Sequence, residues 1–334
     1  MRFSVVIPVH DATPFLSDCL DSLLGQTHSD WEAVCVDDGS TDGSGRILDE
    51  YAARDVRFRV VHQANGGEGA ARNAGLDLVR GEWVYFLDAD DLLGRRTLEI
   101  CAEGARFCPA ADLVTVVGRP FGEREVLRWT ESGQGPSFRT EDLRNQVGGE
   151  IYRTPVWACA IRAELIGDLR FGALKIGADR VFMTALLGKA HFAAVSDYVG
   201  YGYRQRAASE SHARHSTEKF LHHVRCHASV AALIAASPKR PAPETIRALR
   251  LMMTEYLADD YRRLSPEARK QVWAEWSAAL RTVGDMTFGG MRMGVSVRLV
   301  GQTGSRLLMM LLFWVPYWLK LHGVNRRLAV HRAA

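Results

Sequence analysis

The chain has 334 residues, 47% hydrophobic and 24% charged, a balance that excludes disorder as its main state and suits one large domain with an accessory region or two modest ones. A net charge of +3 is too small to make nucleic acid the expected partner. None of the six cysteines forms a CxxC pair and four lie in apolar runs, which points to reduced, buried thiols of a cytosolic protein rather than a disulfide framework.

Phe3 to Val9 is an apolar, β-branched run that leads straight from the N-terminus, so no signal peptide is expected. Thr13-Pro14 reads as an N-cap followed by proline at the first helical position. Phe15, Leu16, Cys19, Leu20, Leu23 and Leu24 then recur at helical spacing. Further strands are predicted at Ala33–Val36, Phe58–Val61, Trp83–Leu87 and Leu113–Val117, with helices at Asp42–Ala53 and Gly69–Val79 between them. This alternation implies a mostly parallel sheet with helices on both faces, an α/β fold whose ligands bind beyond the carboxyl ends of the strands. His10-Asp11, Asp37-Asp38 and Asp88-Ala89-Asp90-Asp91 fall at those ends.

Residues 122 to 149 are polar and glycine-rich, with a strand expected near Val126–Trp129. Strands at Val156–Ile161 and Phe192–Val195 flank a helix at Asp179–Leu187. Past about His215 the pattern is helical, broken at Pro238-Lys239-Arg240-Pro241 and restarted at Ser265-Pro266-Glu267. From Met286 to Ala334 there are seven Lys or Arg and no acids, so a mildly acidic body carries a basic tail. Within it Leu307–Leu319 is apolar all round but shorter than the roughly 20 residues a spanning helix needs. Two readings stay open: an interfacial anchor on an anionic membrane, or a helix packed on the body or in a dimer.

Asp88 and Asp90, after an apolar strand, suit a divalent cation that also touches a diphosphate; the alternative is solvated turn acids or a cap for a helix starting at Leu92. A carboxylate at Asp37-Asp38 suits a nucleobase imide or a ribose hydroxyl, or caps the next helix. The glycine-rich helix entry Gly66–Asn73 lacks the third glycine of a dinucleotide fingerprint and follows the third strand, which argues against a nicotinamide or flavin enzyme. With Arg72 it still suits an anionic diphosphate.

FSVVIPVHD, DWEAVCVDDGSTDGS, NGGEGAARNAGLDLVRGEWVYFLDADD and IGADRVF together resemble glycosyltransferase family 2, inverting enzymes of the GT-A fold. The likeness is dense from Phe3 to about Leu93 and looser to about His212. It implies a GT-A domain over 1–212, with a nucleotide-binding half at 1–120 and an acceptor half at 121–212. A helical region follows over 213–334, with the tail at 286–334. By position the resemblance places Pro8, Val9 and Asp11 around the nucleobase, although relatives often have Asn for Asp11. It gives Asp38 base recognition with Asp37 beside it, and lines the donor with Gly69, Arg72, Asn73 and Ala89. Asp90 becomes the direct ligand of Mn²⁺ or Mg²⁺, with Asp88 facing the ribose or sugar and sharing the metal site. Asp179 matches the catalytic base, but Ala178 stands where many relatives have Glu. Arg204, Arg206, Ser209, Ser211 and His212 match a loop that closes on the diphosphate, where His212 would complete the metal shell. The function implied is transfer from a nucleotide-sugar donor, UDP-linked, to a glycan or lipid-linked acceptor in envelope or capsule synthesis, inside the cell or on the inner face of its membrane. A catalytically inactive sugar-nucleotide-binding or scaffold protein is the alternative. A nucleotidyltransferase would need a glycine-rich basic loop after the first strand, where this chain has Asp11-Ala12-Thr13-Pro14.

Overall fold

In the computed structural model, which describes residues 1–123, 136–147, 151–152, 154–206, 216–242, 245, 257–284, 287–288 and 291–292, the first apolar run is strand β1 (Phe3–Val9). β1 and β2 (Trp31–Asp38) are buried at every position. Strands covered on both faces need no polar alternation, which is why these runs read as continuously apolar. Around them lie α1 (Thr13–Leu24), α2 (Ser44–Arg54), β3 (Phe58–Gln63), α3 (Glu68–Leu76), β4 (Trp83–Phe86), β5 (Leu92–Leu93) and α4 (Thr97–Phe107). Next come β6 (Leu113–Gly122), β7 (Phe138–Asp142), β8 (Gln146–Val147), β9 (Cys159–Arg162), α5 (Ala163–Ile166), α6 (Ala178–Lys189) and β10 (Phe192–Gln205).

The main sheet has the order β3-β2-β1-β4-β9-β6-β10-β5, with β7 also on β10. β1 pairs in parallel with β2 and β4, as does β2 with β3 and β6 with β10. β9 is antiparallel to both β4 and β6, so β6 and β10 point the same way as the first four strands. The sheet is therefore mostly parallel, with β5, β7 and β9 reversed, and the expected α/β architecture is present.

Alternation along β2 shows the two layers. Ala33 and Cys35 join a core with Leu16 and Leu20 of α1, Leu48 of α2 and Leu98 of α4. Val34 and Val36 pack on the other face against Ala71 and Ala74 of α3. Each fully buried Leu or Val contributes about 1.5–3 kcal/mol relative to exposure. At the amino ends of the strands Glu32 is 1% exposed. It accepts from Ser4 Oγ at 2.7 Å and Arg80 N at 2.7 Å, fixing the turn into β4. All six cysteines are free and buried.

Several local expectations shift. Thr13 is not the cap of α1: Ala12 holds that position and makes no side-chain cap bond. The first amides bond across to the loop after β2 instead, Thr13 N to Asp42 Oδ2 at 2.9 Å and Ala12 N to Ser44 Oγ at 2.9 Å. Val156–Ala158 is a 3₁₀ turn, so the strand expected from Val156 begins at Cys159. There Trp157 stacks on Tyr201 at 4.4 Å, in space that a Cβ on Gly118 would invade. β6 and β10 outrun their predicted ends, and the strand expected at Val126–Trp129 lies outside the described residues.

The chain divides into two compact units, Met1–Ala213 with Ser237–Glu244, and Arg214–Ala236 with Thr245–Ala334. The break at Pro238–Pro241 is a short strand, β11 (Arg240–Pro241), paired with β8. The second unit contains α7 (Thr217–Ala236) and helices Leu257–Arg263 and Pro266–Gly284, the last capped by Ser265 Oγ on Ala268 N at 3.2 Å. Phe220, Tyr261 and Trp276 form its aromatic core. Among the described residues no helix is long and apolar enough to cross a membrane, and the tail segment Leu307–Leu319 lies outside them.

Gly75 lets α3 lie on β1: a Cβ there would stand 2.5 Å from Cγ1 of Val6, a fully buried side chain whose β-branching restricts its χ1. Gly75→Ala is expected to cost about 1–3 kcal/mol through overpacking, measured as a lower urea midpoint with an unchanged slope.

Candidate active site

The site is built where β1, β2 and β4 end. Pro8 and Val9 close β1 opposite Val36 and Asp37. The next turn puts Asp11 at φ +46, a left-handed conformation that Asp and Asn tolerate better than other side chains. Asp11 Oδ1 accepts Thr41 N at 2.7 Å, tying the end of β1 to the loop after β2.

Asp37 and Asp38 part company because successive strand residues face opposite ways. Asp38, 2% exposed, accepts Gln63 Nε2 at 2.7 Å and Gly66 N at 2.8 Å on Oδ1, and Gly67 N at 2.8 Å on Oδ2. It thus holds the glycine entry to α3. Asp37 turns to Ser40 N at 3.0 Å and His62 Nδ1 at 2.8 Å. Burial pushes its pKa up, but the bonds from Ser40 and His62 outweigh this and lower it. His62 is raised by Asp37 and then Asp49. The structure therefore groups Asp38, not Asp37, with the helix that bears Arg72.

Gly67 caps α3 at φ +86. Gly69 lies so close to Phe171 and Gly172 that a Cβ would be 3.1 Å from Gly172 O. Arg72, 3% exposed, donates from Nη2 to Asp88 Oδ1 at 2.7 Å and Glu68 Oε1 at 2.8 Å, with its guanidinium 5.3 Å from the Phe171 ring centre. Burial pulls its pKa down, but Asp88, Glu68 and then Asp179 more than compensate and hold it above the ordinary arginine value. Its Nε is buried without an acceptor, a donor suited to an anion. Asn73 is engaged at both ends with the backbone of Phe171, at 3.0 and 2.8 Å. Phe171 stacks on Phe182 of α6 at 4.0 Å. This chain of contacts brings the start of α6 beside α3.

Asp179 stands half-buried in the first turn of α6. The cap is Gly177, in the left-handed region, and Asp179 follows it two residues on. Ala178 is buried at 8% exposure.

After β4, Asp88 and Asp90 have side chains only 20% and 21% exposed, and Leu92–Leu93 is a strand, so they are neither solvated turn acids nor a helix cap. Asp90 Oδ2 lies 2.7 Å from Arg206 Nε. Burial raises the Asp90 pKa, opposed by Arg206 and reinforced by Asp88. Asp91 is the acid the motif reading passed over. It accepts Tyr201 Oη and Arg204 N, each at 2.7 Å, and burial with Asp88 and Asp90 pushes its pKa well up. Tyr201 Oη also accepts Asp88 N at 3.2 Å. Ala89 is buried between them at 8% exposure. Arg204 donates to Asp90 O, Glu123 O and Asp18 Oδ2. Ser209, Ser211 and His212 lie outside the described residues. Among the described residues no group of three or more His, Cys, Asp or Glu is arranged to hold a metal. A cation here would rest on Asp88 and Asp90 and be completed by other oxygens.

Residues 4–169 match glycosyl transferase family 2. The chain is 41% identical over 29% of its length to the putative teichuronic acid biosynthesis glycosyltransferase TuaG of Bacillus subtilis, covering 38% of that protein. It spans about a third of the length of the curated relatives it matches first. Among solved structures, S. aureus TarS 1-349 in complex with UDP-GlcNAc superposes with a TM-score of 0.67 at 24% identity, covering 85% of this chain and 82% of that one. Mannosyltransferase PcManGT from Pyrobaculum calidifontis in complex with GDP-Man and Mn²⁺ gives a TM-score of 0.53 at 21% identity, covering 95% and 81%. At these identities the two structures speak to the fold, and they share its GT-A architecture. Through residues 4–169, on that fold, the chain belongs to glycosyl transferase family 2.

Proposed function

We propose that the chain is an inverting glycosyltransferase that moves a sugar from a UDP-linked donor to a hydroxyl of a glycan or lipid-linked acceptor in building bacterial envelope or capsular polysaccharide. The observation that carries this is Arg72, a buried cation bonded to Asp88 and within the electrostatic reach of Asp179. It joins a diphosphate-binding end to a half-buried carboxylate with no hydrogen bond or ion pair among the described residues. UDP-GlcNAc in TarS and the teichuronic acid role of TuaG support the substrate class.

In this reading Pro8, Val9 and Asp11 border the nucleobase. Asp38 retains one lone pair on Oδ2 for the imide N–H, since its other three acceptor sites are taken. Asp37 acts at one remove, by holding Ser40 and His62. Asn73 and Gly69 act through Phe171 and Gly172, setting the distance between α3 and α6. Asp179 accepts the acceptor hydroxyl proton as its oxygen attacks the anomeric carbon. The bond to the nucleoside diphosphate breaks with its electron pair leaving on the diphosphate, toward the unpaired Arg72 Nε. A single displacement inverts the anomeric centre. Asp90 and Asp88, hard oxygen donors in a partly buried acidic loop, fit Mn²⁺ or Mg²⁺, as Mn²⁺ accompanies GDP-Man in PcManGT. When bound, the cation supplies charge to the departing diphosphate. The GT-A domain is proposed to span 1–212, with the helical region and basic tail after it. The tail is proposed to hold the protein on the cytoplasmic face of an anionic membrane.

Asp179→Asn is expected to lower kcat about 10²–10⁴-fold while calorimetric donor affinity stays near wild type; turnover close to wild type removes the base assignment. Asp90→Ala is expected to abolish metal-dependent donor binding, read as loss of the gain in UDP affinity that Mn²⁺ gives; an unchanged gain removes the metal role. For the tail, the full chain should float with anionic vesicles and a chain ending at Gly301 should not. Equal flotation leaves the tail to packing.

A further inference from the structure

Two arginines leave the end of β10, and they are held differently. Arg204 is 6% exposed, lies 5.0 Å from the Phe15 ring centre and 4.7 Å from that of Phe121, and donates to three oxygens on separate segments. Arg206 has a side chain 33% exposed, leans on Phe15 at 5.4 Å and meets one carboxylate among the described residues, Asp90. Its Nε lies 2.7 Å from Asp90 Oδ2, yet that buried N–H has no aligned acceptor. The contact is attraction between charges without a directed hydrogen bond, the weaker form of an ion pair.

The two acids proposed to hold the cation are thus guarded unequally. Asp88 is bonded to Arg72, whose side chain is 4% exposed and anchored over Phe171. Asp90 is covered by an arginine at the rim with little else to fix it. A divalent ion and a guanidinium cannot both sit against the same carboxylate oxygen, because their charges repel at that range. We propose that Arg206 occupies the cation seat on Asp90 in the donor-free protein and is displaced when the metal enters, so that Arg206 and the cation compete for one carboxylate. This rests on the metal reading of Asp88 and Asp90 given above. Arg204 stays in place throughout, because its bonds run to the backbone of Asp90 and Glu123 and not to the contested oxygens. The competition weakens cation binding to the donor-free chain. It eases when an anionic diphosphate offers the released guanidinium another partner.

The test reads Mn²⁺ binding to the full chain from the electron paramagnetic resonance signal of free Mn²⁺, without nucleotide and again with UDP. Wild type, Arg206→Gln, Arg206→Lys and Asp90→Asn are compared, each with a thermal unfolding scan to verify folding. Removing a partly exposed competitor is expected to tighten Mn²⁺ binding about 3–5-fold in Arg206→Gln without nucleotide. Arg206→Lys, which keeps the charge, should stay within about twofold of wild type, and Asp90→Asn should lose most binding. Wild-type binding that Asp90→Asn abolishes and Arg206→Gln leaves unchanged or weakens overturns the competition while the metal site stands. Absence of Mn²⁺ binding in wild type and Arg206→Gln, even with UDP, overturns the metal site and the competition together.

Discussion

A buried guanidinium organises this site. Arg72 is enclosed by protein yet fully charged, and an isolated charge in that position would be prohibitively costly. It is tolerable because Asp88 and Glu68 lie at hydrogen-bond distance and Asp179 adds its field. The requirement runs both ways. Asp88 follows a strand, Glu68 opens α3 and Asp179 opens α6, so keeping Arg72 satisfied fixes three elements relative to one another. The Phe171 ring between α3 and α6 serves the same end, stacked on Phe182 on one side and lying against the guanidinium on the other.

Much of this was legible in the order of residues. The strand ends with their acids, the glycine entry before Arg72 and the helix carrying Asp179 follow from local pattern, because each depends on neighbours close in sequence. What the pattern could not reveal depends on residues far away in the chain. The cap of α1 comes from Asp42 and Ser44 at the entry to α2, so the Thr13-Pro14 signal pointed to the right place and the wrong atom. The 3₁₀ turn at Val156–Ala158 follows from Trp157 lying over Gly118 and against Tyr201, which an apolar run cannot announce. β10 exceeded its predicted length because β6 pairs along nearly all of it, with β7 on its first half and β5 on its second, and the second half stays extended through those bonds.

The adjacent acids Asp37 and Asp38 show how little a motif says about individual roles. In sequence they are one signal. In the sheet, alternation sends Asp38 to the amides at the head of α3 and Asp37 to His62 and Ser40. Gly45 is part of the same arrangement, since a Cβ there would be 2.7 Å from Asp37 Oδ2. One acid therefore shapes the entry to α3 while its neighbour braces the loop that reaches back to α1.

The loop Asp88–Asp91 divides its labour by the same logic. Three carboxylates within four residues repel one another, and the pKa values of Asp90 and Asp91 are raised by burial first and by their acidic neighbours after it. Asp91 is settled by accepting from Tyr201 Oη and Arg204 N, leaving it committed to structure. With Asp91 pinned and Asp88 N bonded to Tyr201, the loop cannot relieve the repulsion by unwinding. Asp88 and Asp90 instead meet the guanidinium groups of Arg72 and Arg206. A buried tyrosine on a distant strand, absent from any acidic motif, thus commits Asp91 to the loop and leaves the other two acids to the arginines.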